Sequence, residues 1–181
     1  MRVITGKARG RKLITLSGDD VRPTTDKVKE SVFSIIQFQV EGRMFLDLFA
    51  GSGQMGIEAL SRGAKGAYFF DMRKDAVAVV RKNLEALGLE ADSQVRCGDA
   101  LSLAVGCGMK FDVAFVDPPY NKGLSKKALE ILPSVMNDTG VIVVESADSE
   151  ELPEIAGKFK LDRTYRYGKI KITTYRAEIS D

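Results

Sequence analysis

The chain has 181 residues, 44% of them hydrophobic and 29% charged, with a formal net charge of +2. That length suits one domain able to bury roughly 70% of its unfolded surface, and no apolar run approaches the ~20 residues a membrane-spanning helix needs. The sequence contains no histidine, which excludes His-based triads, His-ligated zinc and an imidazole general base.

Residues 1–18 carry Arg2, Lys7, Arg9, Arg11 and Lys12 and no acid, a local charge of +5. The remainder holds 22 basic and 25 acidic residues, a net of −3. A basic end on a mildly acidic body predicts a docking arm for a polyanion. Val3-Ile4-Thr5 and Leu13-Ile14-Thr15-Leu16, flanking Gly6 to Arg11, read as two short strands of a hairpin. The N-terminus lacks the apolar core of a signal peptide, so a cytoplasmic protein without a membrane partner is expected. Arg22-Pro23-Thr24-Thr25-Asp26 offers capping side chains. Val28, Val32, Ile35 and Ile36 then recur at helical spacing until Gly42. Residues 1–40 are therefore read as an N-terminal extension and 41–181 as the main domain.

From Met44 strands and helices alternate. Strands are expected over 44–48, 67–70, 94–97, 111–116 and 141–144, with helices over 54–62 and 125–136, the latter bent near Pro133, and one whose face is Val77, Val80, Leu84 and Leu87 and which ends at Gly88. This alternation predicts an α/β fold, a parallel sheet with helices on both faces. Residues 159–167 and 170–176 read as strands joined by a tight turn at Gly168-Lys169, an antiparallel hairpin closing the sheet. Cys97 and Cys107 form neither a metal-type spacing nor a disulfide framework, and no metal site is expected.

The loop Asp47-Leu48-Phe49-Ala50-Gly51-Ser52-Gly53-Gln54-Met55-Gly56 joins the first parallel strand to its helix. Glycines there permit a tight turn and close approach to a ligand, and the helix start offers unpaired N–H groups. Gly51, Gly53 and Gly56 satisfy G-x-G-x-x-G, and Asp71 follows Gly51 by 20 residues at the end of the next strand, placed to take ribose hydroxyls. On loop and acid alone, a nicotinamide dehydrogenase is an open reading. Asp47, before the loop, suits a cationic amine better than a pyrophosphate, and Asp99, after the third strand, can accept from an adenine amine. Ribose, adenine and a charged amino-acid end together describe S-adenosylmethionine. Asp117-Pro118-Pro119-Tyr120 follows the fourth strand. Two prolines end sheet pairing there, and the stiff bend gathers a carboxylate, a free carbonyl and an aromatic ring, a set suited to gripping a flat base that bears an amine.

These two motifs resemble the cofactor and catalytic motifs of methyltransferases acting on base amines. Arg9-Gly10-Arg11-Lys12-Leu13, Arg22-Pro23-Thr24-Thr25-Asp26 with Glu30, and Glu58-Ala59-Leu60-Ser61-Arg62-Gly63-Ala64 resemble the RsmD family more specifically. The resemblance covers essentially the whole chain; one departure is Asp71, where a glutamate is common. It implies a Rossmann-like class I methyltransferase fold with a mostly parallel seven-stranded sheet. It further implies S-adenosylmethionine as donor and N2 of a guanine in 16S ribosomal RNA of the small subunit as acceptor. The catalytic residues implied are Asp117, Pro118, Pro119 and Tyr120. The cofactor contacts are Asp47, Phe49, Ala50, Gly51, Gly53, Asp71, Met72, Asp99 and Ala100, with Thr24 and Thr25 closing over the amino-acid end. RNA contacts are expected from Arg9, Arg11, Lys12 and Arg22, and a monomer is expected. The rival readings are an adenine-N6 methyltransferase, a protein-glutamine methyltransferase, which typically carries Asn in place of Asp117, and a non-catalytic RNA-binding assembly factor.

Overall fold

The computed structural model describes residues 1–17, 24–119 and 123–178. The elements run α1 (Asp26–Ile35), β1 (Met44–Leu48), α2 (Gln54–Ser61), β2 (Gly66–Asp71), α3 (Lys74–Leu87), β3 (Ser93–Cys97), α4 (Ala100–Gly106), β4 (Phe111–Val116), α5 (Leu124–Ile131), β5 (Met136–Ala147), β6 (Ile155–Ala156), β7 (Phe159–Tyr167) and β8 (Ile170–Ala177). One eight-stranded sheet has the order β3-β2-β1-β4-β5-β8-β7-β6. β1 to β5 pair in parallel, while β8, β7 and β6 add antiparallel strands at one edge. The eighth strand, which the sequence pattern does not reveal, is the two-residue β6. β1 to β4 and the hairpin lie where the apolar runs and the Gly168-Lys169 turn put them, whereas β5 extends beyond the expected 141–144 at both ends and takes Met136 from the expected helix.

Alternation along each strand sorts the core into two layers. Phe45, Phe69, Val113, Phe115, Val141 and Val143 point to the layer built from α1, α2, α3 and the N-terminal segment. Leu46, Leu48, Phe70, Ala114, Val116, Ile142 and Val144 point to the layer under α4, α5 and the 3-10 turn Leu132–Val135. The period of two along a strand makes this division compulsory once the register is set. It also fixes the aim of the residues at the carboxyl ends. Asp47 shares the parity of Phe45, and Asp71 that of Phe69, so both belong to the first layer's face. Pro133 ends α5 as an α-helix because it supplies no N–H and its ring crowds the preceding turn; the chain continues as a 3-10 turn.

The expected N-terminal hairpin forms in short: Arg2 and Lys12 make an antiparallel bridge, with Val3 donating to the Arg11 carbonyl at 2.9 Å, Gly10 to the Val3 carbonyl at 2.8 Å and Leu13 to the Met1 carbonyl at 3.1 Å. Other backbone groups of the segment go to side chains of the body. Ile4 and Thr5 donate their N–H groups to the Glu58 carboxylate, both at 2.9 Å, and Ala8 donates to Ser61 Oγ at 2.9 Å. Ile14 donates to Asn83 Oδ1 at 2.8 Å, and the Asn83 amide returns a bond to the Ile14 carbonyl. Val3, Ala8 and Leu13 are buried in the first layer. The segment is thus pinned by side chains of α2 and α3. α1 is shorter than its apolar spacing suggests, continuing after Ile36 as a 3-10 turn over Gln37–Gln39.

Candidate active site

The glycine loop is held open by the strands beneath it. Ala50 donates to the Phe70 carbonyl at 2.9 Å, Gly53 to the Ala50 carbonyl at 2.8 Å, and Gly51 to Asp71 Oδ2 at 2.9 Å. Phe49 has φ 65°, alone among the described non-glycine residues in having positive φ. A bulky residue in that region costs about 1–3 kcal/mol, held here by its surroundings. The glycines differ in what they do. A Cβ on Gly56 would lie 2.3 Å from Phe69 Cε1, so helix α2 sits on β2 only because that position is bare. A Cβ on Gly51 would meet nothing within 4 Å. Gly56 serves packing, and Gly51 lies on the open side of the loop.

Four of the sequence-predicted acids stand at the carboxyl ends of parallel strands, in the crevice position such sheets reserve for ligands. Asp47, 2% exposed, accepts from the Gly56 N–H at 2.9 Å beneath the loop. Burial raises its pKa to about 8; the Gly56 N–H opposes that rise and the Asp71 charge adds to it. Asp71 takes the Gly51 N–H on one oxygen and the Arg73 N–H at 2.9 Å on the other. Asp99 caps α4, accepting from Ser102 N at 2.9 Å and Ser102 Oγ at 2.6 Å, and the Ser102 bonds pull its pKa below the usual carboxylate range. These acids therefore shape the crevice as well as line it. An ionised carboxylate has about four acceptor sites, so two bonds leave Asp71 and Asp99 with capacity for a ligand. Met72 follows Asp71 with its side chain 73% exposed, and Ala100, buried, opens α4.

Asp117, one residue beyond β4, is half-buried; Pro118 is buried and Pro119 exposed. Tyr120 lies outside the described residues. Burial pushes the Asp117 pKa well up, and the charges of Glu145 and Asp47 push it further. Sequence reasoning does not single out Glu145, although it ends an apolar run on β5 as Asp117 ends one on β4. Thr24 Oγ1 donates to Glu145 Oε2 at 3.2 Å, and the Gln54 amide donates to the Thr24 carbonyl at 3.3 Å. A line of polar groups thus runs from the glycine loop to the neighbourhood of Asp117. Thr25, expected beside Thr24 over the ligand, is instead the cap of α1, its hydroxyl accepting from Val28 N at 3.3 Å.

Gln54 carries a further signal. It is 7% exposed, and its Oε1 is buried with no hydrogen-bond partner among the described residues. A buried acceptor left unmade costs about 1–3 kcal/mol, so the position asks for a donor. A primary ammonium beside the loop would satisfy it. The crevice offers acceptors at one end for an ammonium, acceptors at Asp71 for a diol, and a further carboxylate at Asp99 for an amine. The residues present fit S-adenosylmethionine.

Of the basic residues expected to meet RNA, Arg9 and Lys12 are exposed. Arg11 is exposed too, but its guanidinium donates to the Ala86 carbonyl in the last turn of α3 at 2.7 Å. Arg22 lies outside the described residues. Among the described residues, no helix is long and apolar enough to cross a membrane.

A family model described as "Conserved hypothetical protein 95" matches residues 1–176. The chain belongs to the RsmD family. Among RsmD relatives, Ribosomal RNA small subunit methyltransferase D of Escherichia coli (strain K12) is 34% identical over 180 residues, covering 98% of this chain and 90% of that protein. YlbH of Bacillus subtilis (strain 168) is 40% identical over 181 residues, covering 97% of this chain and 98% of its own length. The solved structure of Escherichia coli yhhF superposes with a TM-score of 0.87 at 34% identity, covering 98% of both chains. The RsmD-family architecture here, a mostly parallel sheet closed by an antiparallel hairpin, is that of class I methyltransferases.

Proposed function

We propose that this protein transfers a methyl group from S-adenosylmethionine to the exocyclic N2 amine of a guanine in 16S ribosomal RNA of the small subunit. The observation that carries the reading is that the open glycine loop, Asp71, Asp99 and the Asp117-Pro118-Pro119 bend all lie at the carboxyl end of the parallel strands. Family membership, with a relative named as a small-subunit rRNA methyltransferase, supports RNA as the substrate class.

S-adenosylmethionine supplies a methyl group made electrophilic by a sulfonium centre. Asp47, as expected from the loop, and Gln54 Oε1 take the ammonium end, Asp71 the ribose hydroxyls and Asp99 the adenine amine. The target base leaves its stack at a cost of a few kcal/mol, and Tyr120 stacks on it, returning ~1–3 kcal/mol. Asp117 and the Pro118 carbonyl accept hydrogen bonds from the two amine hydrogens, which draws the nitrogen lone pair out of the ring and aims it at the methyl group. The work is positioning and electrostatics. The N–C bond would form as the sulfonium C–S bond breaks, leaving a neutral thioether, and the alkylated nitrogen, now acidic, would pass its proton to the Asp117 carboxylate, so no imidazole is required.

Residues 1–40 act as an RNA-docking extension on the methyltransferase domain of residues 41–181. Arg9 and Lys12 hold phosphates without reading sequence. The protein works in the cytoplasm as a monomer, on rRNA within the small subunit or an assembly intermediate of it. Labelled methyl transfer to undermethylated rRNA and small-subunit particles, with the product nucleoside identified, tests the reading. N2-methylguanosine is expected; N6-methyladenosine would overturn the choice of base.

A further inference from the structure

We propose that Glu145 is a specificity-determining residue that makes this site select guanine over bases with an unprotonated ring nitrogen beside the amine. The inference rests on the guanine-N2 reading above. β4 and β5 are paired in register through Val116 and Val144, so Asp117 and Glu145 are the next residues of two adjacent parallel strands. Both share the parity of Phe115 and Val143, the row that faces the α1–α3 layer. Neighbouring strands lie about 4.8 Å apart, which sets the two carboxylates side by side at the mouth of the site.

Glu145 is 5% exposed, and its Oε2 takes the Thr24 hydroxyl. Thr24 is in turn held at its carbonyl by Gln54. The second carboxylate is therefore oriented from the side of the glycine loop. Its nearness to Asp117 is felt in the raised proton affinity of Asp117, to which the Glu145 charge contributes.

With both ionised, the two adjacent carboxylates form a strip that only accepts hydrogen bonds, so the discrimination is expected above the raised pKa of Asp117. A guanine presents donors side by side along that edge, the N2 amine and the N1–H. The amine meets Asp117 and the N1–H meets the field of Glu145. Adenine offers an amine followed by the N1 lone pair, as 2-aminopurine does, and that lone pair faces a carboxylate with no proton to offer. A site built around a substrate N–H rejects the analogue lacking it far more strongly than an apolar pocket rejects a change of size. The acid at the end of β4 grips an amine of either purine, and the acid at the end of β5 distinguishes them.

The test uses an rRNA fragment bearing the guanine identified by product analysis, and the same fragment with 2-aminopurine at that position. The analogue keeps the N2 amine and lacks the N1–H. Wild-type protein is expected to prefer guanine by ~100-fold or more in kcat/KM. In Glu145→Gln the amide can turn its NH2 toward N1, so the preference is expected to shrink to under ~10-fold, through both slower guanine and faster 2-aminopurine. S-adenosylmethionine affinity by calorimetry serves as the folding control and is expected to stay within a few-fold of wild type. Thr24→Val, which removes the hydroxyl that orients the Glu145 carboxylate, is expected to lower the ratio in the same direction, and it carries the test if Glu145→Gln does not fold. An unchanged ratio in either folded variant overturns the proposal. Wild-type transfer to adenine and not to guanine would overturn the reading beneath it, a distinct outcome.

Discussion

Lys29 Nζ lies 3.8 Å from Glu58 Oε2, with neither side chain exposed to solvent. Glu58 also accepts the Ile4 and Thr5 N–H groups and pairs with Arg62 Nε at 2.9 Å, while Lys29 donates to the Arg2 carbonyl at 2.6 Å. Burial lowers the Lys29 pKa against the pull of the Glu58 charge. Glu58 is thus the point where α1, α2 and the N-terminal segment are fastened together. Glu58→Ala strands a buried ammonium and two backbone donors, and removing one partner of such a pair costs roughly 3–5 kcal/mol. Urea unfolding should show that loss. Glu58→Gln, which still accepts, should lose less.

Asp117 must be ionised to accept from the amine, and its surroundings raise its pKa. The transfer rate is therefore expected to rise with pH through that raised pKa, since the protonated form dominates below it. Asp117→Ala should lower single-turnover methyl transfer by ~10²–10³-fold with cofactor affinity within a few-fold of wild type. A loss of cofactor binding equal to the loss of rate would assign Asp117 to the cofactor instead.

Asp47 gives a stability signature with a definite sign. Its folded pKa of about 8 stands well above the ordinary carboxylate range, so the folded state holds a proton that the unfolded state has released. The contribution of that proton is complete below pH ~4 and lost as pH rises through about 8. Asp47→Asn, which keeps an oxygen for the Gly56 N–H, is expected to flatten this part of the Tm-versus-pH curve. A slope identical to wild type between pH ~4 and ~8 would show that Asp47 does not titrate there.

Gly51 and Gly56 should separate function from folding. Gly56→Ala drives a methyl group into the Phe69 ring and is expected to destabilise by ~1–3 kcal/mol. Gly51→Ala meets only a backbone penalty at φ 56°, about 1–2 kcal/mol, yet places a methyl group on the open side of the loop. Thermal melts with and without S-adenosylmethionine distinguish them: the ligand-induced rise in Tm should vanish in Gly51→Ala and persist in Gly56→Ala.

Arg9 and Lys12 are exposed, as is Lys7, whereas Arg2 pairs with Asp26 and Arg11, though exposed, is already engaged by α3. Replacing Arg9 and Lys12 with Ala should weaken RNA binding and reduce the slope of log affinity against log salt by about 0.7–0.9 for each phosphate no longer neutralised. Arg11→Ala should change melting temperature more than salt slope. Equal salt effects from all three would place Arg11 at the RNA as well.

The parallel body is legible in the sequence because apolar runs, glycine stops and terminal acids coincide there; β7 has the bounds its alternating pattern suggests. The apolar run of β5 suggests 141–144, but the strand covers Met136–Ala147, because Asn137, Asp138 and Thr139 give its first half the composition of a turn. α4 escapes a periodicity search: seven residues between Asp99 and Cys107 give too few periods, although Asp99 and Ser102 spell its cap. The N-terminal hairpin pairs only over its ends, as Val3 with Arg11 and Leu13 with Met1, because the rest of its backbone is taken by the side chains Glu58, Ser61 and Asn83, which no local pattern announces. At the site, Gln54 occupies an unconstrained position of the glycine motif, and its role follows only from its burial. Glu145 is within reach of sequence reasoning, since an acid closing an apolar run marks every other strand end in the crevice.

The pinning of the N-terminal segment has a consequence during synthesis. Ile4 waits for Glu58, 54 residues later, and Ile14 for Asn83, 69 residues later. At roughly 5–20 residues per second the interval for Ile14 is about 3–14 s. During that time a stretch with a charge of +5 and no acid has been made but cannot yet be fastened down. A newborn chain therefore presents its basic end before it has a sheet on which to place it. Fusions at Met1, whose carbonyl accepts from the Leu13 N–H, act on a segment that is the first to be made yet must wait for α2 and α3 before it can settle.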